Sequence, residues 1–288
     1  MAEIRVGCAT WSYKDWIAKA GKQSYFELKT KEDRKNWVGP FFLRGTRPAD
    51  MLTEYAKVFD TVEVDSSFYA IPPETNVQGW FDRSPDNFIF SFKMPREITH
   101  FRRLKNCEEI LEPFCQRVRL MKHKLGAINI QMPPNFTPKQ QPALEAFLPA
   151  LPQDLRFAIE FRDKSWATDE ILALLKQYGV AFALTDSDKF PRELSFSLID
   201  KPTANFAYVR WLGKRVLNSF THAQIDRGDA VKEWAQAFKH LSKNVPVIYA
   251  YFTNHFQGHS PYSAIRFKEA LKLPVPTGRE NEEQPGLF

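Results

Sequence analysis

Thr61-Val62-Glu63-Val64-Asp65 alternates between polar and apolar side chains. At the two-residue period of a strand, Thr61, Glu63 and Asp65 share one face, and Val62 and Val64 the other. Working outward, similar short runs recur at 4–9, 88–93, 127–132, 156–161, 180–185, 206–211 and 247–252, so the chain reads as eight strands. Ser91 and Lys93 stand opposite Phe90 and Phe92. Asn129 and Gln131 stand opposite Ile128, Ile130 and Met132, and Ala158, Glu160 and Arg162 opposite Phe157, Ile159 and Phe161. In each of these strands the ionisable or amide residue falls at the C-terminal end.

The segments between strands carry helical signals of uneven quality. Ile171, Leu174, Leu175 and Tyr178 recur at helical spacing behind Thr168 as N-cap. Thr137-Pro138 and Ser260-Pro261 each pair an N-cap residue type with Pro at the first helical position. Residues 223–241 read as a long amphipathic helix with Trp234 and Phe238 on one face. The crossover from Asp186 to Phe206 is poorly patterned and reads mostly as loop. Strands alternating with helices require parallel pairing through right-handed crossovers. An antiparallel sheet with one wetted face would alternate in the same way, but these connections are too long and too helical for hairpins. An open nucleotide-binding sheet normally carries a Gly-rich turn after its first strand. Gly7-Cys8-Ala9-Thr10-Trp11 is too bulky for that. The expected fold is therefore α/β, a single TIM-type (β/α)8 barrel over residues 1–273, irregular around the sixth crossover, with a flexible tail over 274–288.

Composition agrees. The chain has 288 residues, 43% hydrophobic and 26% charged, which excludes wholesale disorder and collagen-like sequence. Three cysteines cannot pair evenly and lack zinc-ligand spacing, so they read as free thiols of a reducing compartment. The first residues lack the apolar run of a signal peptide, and no run is long enough to span a membrane. A cytoplasmic protein with no membrane partner is expected. The net charge of +6 suits proteins that meet polyanions but is also common in enzymes that bind none.

From Thr61 to Tyr69, TVEVDSSFY, the sequence resembles the YecE-like family, also called the domain-of-unknown-function 72 family. Gly7 with Trp11-Ser12-Tyr13, and Phe90 to Pro95 with Ile98-Thr99-His100 and Arg103-Leu104, fit the same family. So do Gln131 to Phe136, Glu160-Phe161-Arg162 with Ser165-Trp166, Tyr208-Val209-Arg210, and Tyr251 to Asn254 with Gly258-His259. The resemblance runs to about Leu271 and implies a TIM-like barrel without an established activity. Asp65 stands where Asn is common, Thr10 where Gly is common, and Leu212 where His would be expected.

A parallel barrel gathers its C-terminal strand ends into one mouth. Glu63, Lys93, Glu160 and Asp186 are the catalytic candidates there. Trp11, Tyr13, Asp65, His100, Gln131, Arg162, Arg210, Asn254 and His259 are the substrate-binding candidates. Glu63 and Glu160 could exchange protons, while Lys93, Arg162 and Arg210 could hold an anionic group. The competing reading is a buried ion-pair network that ties strands together. A divalent metal is compatible with the ligand types but not indicated, because tight His spacing is absent and three cations would compete. The cofactor, if any, is left open. Walker, Gly-x-Ser-x-Gly and His-Glu-x-x-His motifs are absent.

Two basic stretches flank the expected mouth. Residues 19–47 interleave charges with Tyr25, Phe26, Trp37, Phe41 and Phe42, and residues 93–105 contain Arg96, Phe101, Arg102 and Arg103. Such interleaving suits backbone tracking and base stacking, or alternatively a loop folded over apolar packing, which the first stretch fits better. The chain ends Gln284-Pro285-Gly286-Leu287-Phe288, which resembles the Gln-x-x-Leu-Phe peptide that docks bacterial polymerases and repair proteins on the sliding clamp. The expectation is a barrel protein, a hydrolase if an enzyme, acting on a phosphate-containing or nucleic-acid substrate and linked to replication or repair by its tail. Two alternatives stand beside it. One is a metal-free sugar or metabolite hydrolase or lyase using paired Glu residues, and the other is a non-catalytic nucleic-acid adaptor.

Overall fold

The computed structural model describes residues 2–276, and every pair of strands in it is parallel. The strands are β1 (Glu3–Cys8), β2 (Thr61–Val64), β3 (Ile89–Lys93), β4 (Leu125–Gln131), β5 (Arg156–Glu160), β6 (Ala181–Phe182), β7 (Leu184–Ser187), β8 (Ala207–Gly213) and β9 (Val247–Phe252). Their order is β6-β5-β4-β3-β2-β1-β9-β8-β7. Only Ala183 separates β6 from β7; β6 pairs with β5 and β7 with β8. The two are halves of one broken sixth strand, which brings the ends of the sheet together. The architecture is the expected TIM-type α/β barrel.

The helices are α1 (Lys31–Asn36), α2 (Met51–Ala56), α3 (Glu74–Asp82), α4 (Glu108–Arg119), α5 (Gln141–Phe147), α6 (Asp169–Gln177), α7 (Arg192–Ser197), α8 (Gly228–Asn244) and α9 (Ser260–Ala270). Thr168 caps α6 by accepting from Ile171 N. Two expectations need correction. The helix expected over 223–241 begins only at Gly228, because Ala223 N donates to Val38 O and Gln224 N and Ile225 N donate to Gln257 O. Ser260 does not cap α9. His259 does, its Nδ1 accepting from Tyr262 N at 3.2 Å. The crossover expected to be mostly loop contains the short α7.

Large apolar residues face the helices. The interior is filled unevenly: Ala127, Ala158, Ala181 and Ala183 make room for Phe206, Tyr208, Tyr249 and Tyr251 from the opposite side. Tyr251 OH donates to Ser91 Oγ at 2.8 Å and stands 2.8 Å from Thr61 Oγ1, so a hydroxyl chain crosses the barrel. In residues 19–47 the rings of Tyr25, Phe26, Trp37, Phe41 and Phe42 are all buried. They pack on one another and offer no base-stacking surface, so this stretch is the loop folded over apolar packing that its sequence favoured.

The packed chain extends past residue 273: Val275 lies against the core, and Tyr25 OH donates to Pro276 O at 3.1 Å. The clamp-like residues Gln284, Leu287 and Phe288 lie outside the described residues. No helix among the described residues is long and apolar enough to cross a membrane.

Candidate active site at the C-terminal mouth

Arg210 on β8 points into the barrel. Register sets it beside Thr185 of β7 and Tyr251 of β9. Its Nη2 donates to Glu63 Oε1 at 2.6 Å, and its Nη1 donates to Glu160 Oε2 at 2.6 Å and Gln131 Oε1 at 3.2 Å. Tyr208 OH, two residues earlier on the same face, donates to Glu63 Oε2 at 2.6 Å. Asn129 Nδ2 reaches Glu63 Oε2 and Glu160 Oε2 at 3.4 Å each. Arg162 Nε lies 2.6 Å from Glu160 Oε1, an ion pair whose angle falls outside hydrogen-bond geometry. Strands β2, β4, β5 and β8 are thus tied together through charge.

Burial governs how these groups hold protons. Burial alone would raise the Glu160 carboxyl, but Arg162 and Arg210 outweigh it and bring the value down to about 2. Burial also opposes the charge on Arg210, yet Glu160 and Glu63 hold its proton affinity above the ordinary value. Tyr208 is pushed up by burial and by Glu63, so it stays a donor. A carboxyl held near 2 cannot serve as a general acid near neutrality. One guanidinium also grips both glutamates, whereas a glycosidase places its two carboxyls about the scissile bond. The shared grip disfavours the paired-Glu hydrolase, while an ionised Glu160 by itself would still suit the base or nucleophile of such a pair.

Lys93 and Asp65 form a second pair beside this network, with Nζ 2.9 Å from Oδ1. The Lys93 Nζ also sits 3.9 Å from the Phe68 ring centre. Burial lowers the Lys93 proton affinity, and Asp65 opposes that shift. His100 lies on a π-helical turn after β3, its ring 4.9 Å from that of Phe68. Burial and then Lys93, Arg162, Arg103 and Arg96 push His100 down to about 4, so it is neutral at pH 7. Arg96 lies between Tyr69 and Phe101, 5.5 and 5.4 Å from their ring centres, and those rings are 62% and 63% exposed. The mouth is therefore cationic, with an exposed aromatic platform at its rim. Arg102 takes no part in this surplus, because Glu97 and Glu109 hold it.

Other sequence candidates lie elsewhere. Asp186 accepts from Trp234 Nε1 of α8 at 2.9 Å and so faces the helix layer. Alternation already says this, since Asp186 shares a face with Phe182 and Leu184, while Ala181 and Ala183 point inward. Asn254 Oδ1 accepts from Trp16 Nε1, Ser260 N and Ser260 Oγ, and holds the start of α9. His259 is fully buried between the Trp16 and Trp37 rings. Trp11 packs on Trp80 and Phe90 among the helix-facing residues, and Tyr13 on Trp16 and Phe220. Sequence reasoning missed Asn129 and Tyr208 as site residues, although alternation places them with Gln131 and Arg210.

Among the described residues no group of three or more His, Cys, Asp and Glu side chains comes together to hold a metal. A cavity of about 850 Å³ lies away from the mouth. It lies against Leu125, Gly126, Arg156, Phe157 and Phe206, at the N-terminal ends of β4, β5 and β8. Volume and chemistry disagree here. The mouth is the better candidate, because the buried charges converge there and barrel enzymes build their sites at that end.

Comparison with known proteins agrees with this architecture. The chain is similar to the UPF0759 protein YecE of Escherichia coli, with 34% identity over 111 residues, 38% of this chain. That match spans 41% of the curated relative's own length. It is also similar to the UPF0759 protein YunF of Bacillus subtilis, with 22% identity over 77% of this chain and 86% of that protein. A solved DUF72 family protein of Thermotoga maritima superposes with a TM-score of 0.72 at 23% identity, covering 94% of this chain and 99% of the other. A DUF72 family protein of Enterococcus faecalis gives 0.69 at 19% identity, over 95% and 99%. At these identities the two structures bear on the fold alone. A sequence profile of the family described as "Protein of unknown function DUF72" matches residues 33–285, and the chain belongs to that family.

Proposed function

We propose that the C-terminal mouth binds a phosphate-bearing substrate, and that single-stranded nucleic acid is the class its rim fits. The observation that carries this reading is Arg96, held between the exposed rings of Tyr69 and Phe101 beside Lys93, Arg103 and Arg162. Cations next to accessible π-faces match the two parts of a nucleotide, the phosphate and the base. The terminal Gln284, Leu287 and Phe288 extend the reading to recruitment by a bacterial sliding clamp.

Fluorescence anisotropy of a labelled single-stranded oligonucleotide tests the reading. Binding is expected at low salt, with affinity falling steeply as salt rises. Arg96→Ala is expected to weaken it and flatten the salt dependence, and Tyr69→Ala with Phe101→Ala to weaken it with that dependence kept. Absence of binding at low salt, or equal affinity in all variants, would overturn the reading.

A further inference from the structure

We propose that Lys93 is an amine nucleophile that condenses with the carbonyl carbon of a phosphate-bearing aldehyde or ketone bound at the mouth, with Asp65 carrying the proton. This inference rests on the mouth being a phosphate site and adds what happens there.

Two buried lysines show what distinguishes Lys93. Lys124 spends its ammonium donors on Phe81 O at 2.7 Å, Ser84 O at 2.8 Å and Ser84 Oγ at 3.1 Å, a full set of three for a structural residue. Lys93, with an 8% exposed side chain, has a single hydrogen bond from Nζ, to Asp65. The Phe68 ring covers one side of that amine. Asp65 is 37% exposed, so the pair opens toward the mouth through its carboxylate.

Competing nucleophiles are closed off. Cys8, Cys107 and Cys115 are buried, and burial raises their thiols to about 12, 11 and 12. Ser67 Oγ is engaged with Val64 O and Lys93 O at 2.7 Å each. A lysine in a dry pocket with cations nearby is the setting in which an amine becomes nucleophilic. Arg103 and Arg96 remain to hold the phosphate, since Arg162 is paired with Glu160.

The step balances without an oxidant or a metal. Asp65 Oδ1 takes one proton from the Lys93 ammonium, and the free amine forms a C–N bond to the carbonyl carbon. A second proton passes from the attacking nitrogen to the carbonyl oxygen, which becomes the hydroxyl of a carbinolamine. Asp65 returns its proton to that oxygen, the C–O bond breaks and water departs. An iminium ion on Lys93 remains, with the same charge as the starting ammonium.

Reductive trapping tests this on the full chain with sodium cyanoborohydride, which converts an iminium to a stable amine. Two probes are used separately: a single-stranded oligonucleotide bearing one abasic aldehyde, and ribose 5-phosphate. Peptide mass spectrometry maps the adduct. The expected result is an adduct on Lys93 that is lost in Lys93→Arg. Lys268, also buried but on α9 near Asp60 and Arg5, is the internal comparison. Trapping by the oligonucleotide alone identifies a nucleic-acid aldehyde, and trapping by the sugar phosphate identifies a small substrate.

An adduct spread equally over Lys268 and surface lysines, or no adduct with either probe, overturns the inference. Mapping on the wild-type chain decides this even where Lys93→Arg fails to fold. Asp65→Asn is expected to slow adduct formation when compared at saturating oligonucleotide; equal rates would remove Asp65 from the step. Salt-sensitive binding without trapping defeats the inference alone, whereas absence of both defeats the phosphate-site reading as well.

Discussion

Arg210 Nη1 and Glu160 Oε2 lie 2.6 Å apart, with side chains 2% and 0% exposed. The same guanidinium holds Glu63 through its other terminal nitrogen. The centre of the mouth is therefore a balanced charge network, and removing one member leaves another charge buried without compensation.

Glu160→Gln is expected to destabilise the fold by about 3–5 kcal/mol, the usual cost of breaking a buried pair from one side. Both Arg210 and Arg162 would lose their shared carboxylate. Urea denaturation reads this as a lower midpoint at constant slope. An unchanged midpoint would show that the network contributes no net stability.

Acid should weaken the protein in two windows. His259 caps α9 as the neutral imidazole, and burial lowers it from 6.5 to about 3. Its contribution is present above about pH 6.5 and is lost as pH falls toward 3. Glu160, lowered from 4.5 to about 2, contributes stability that is present above pH 4.5 and is lost as pH falls toward 2. His222 adds to the shift of His259, and the half-buried His100 and His255 titrate in the same sense. Asn at position 259 can keep the cap without the charge. His259→Asn should remove about 2 kcal/mol of the loss between pH 6.5 and 4.5. Identical pH profiles would assign that loss to other groups.

Gly7 permits β1 to approach β2. A Cβ there would lie 2.2 Å from Thr61 O, a backbone atom that cannot swing aside. Gly7→Ala is expected to cost several kcal/mol, on the order of 3 or more, by forcing the strands apart. Thermal unfolding within a degree or two of wild type would mean that the strands can shift freely.

Asn254 joins the β1 loop to α9 through Trp16 and Ser260. Asn254→Ala leaves the Trp16 indole N–H and the Ser260 amide without their acceptor, at roughly 2–4 kcal/mol for two buried donors. Asn254→Asp keeps the accepting oxygen and should lose less. A larger loss for Asp than for Ala would contradict this structural role.

The terminal peptide should bind the sliding clamp by inserting Leu287 and Phe288 into an apolar groove, with Gln284 setting register. Replacing both by Ala should remove about 1.5–3 kcal/mol for each anchor. Calorimetry giving equal clamp affinity for wild type and the double variant would end this proposal.

Strand positions and faces were legible because a strand's period of two is a local property. Val62 and Val64 against Thr61 and Glu63, or Ile159 against Ala158 and Glu160, need no knowledge of distant residues. The same counting, carried through β7, turns Asp186 outward, although its carboxylate places it among the catalytic candidates at the mouth. Other assignments rested on contacts between residues far apart in the chain. Nothing near Arg210 says that it will meet Glu63, 147 residues away, or that both glutamates will share its one guanidinium. Nor does the 19–47 segment by itself settle that its rings pack inward; it favours that reading only slightly, since charges interleaved with aromatics also fit a stacking surface. Asn254 and His259 carry the chemistry of binding residues, and only the approach of Trp16 and the start of α9 made them structural. Lys93 and Lys124 are both buried lysines; the number of acceptors around each amine, which tertiary packing alone decides, separates a satisfied tie from a candidate nucleophile.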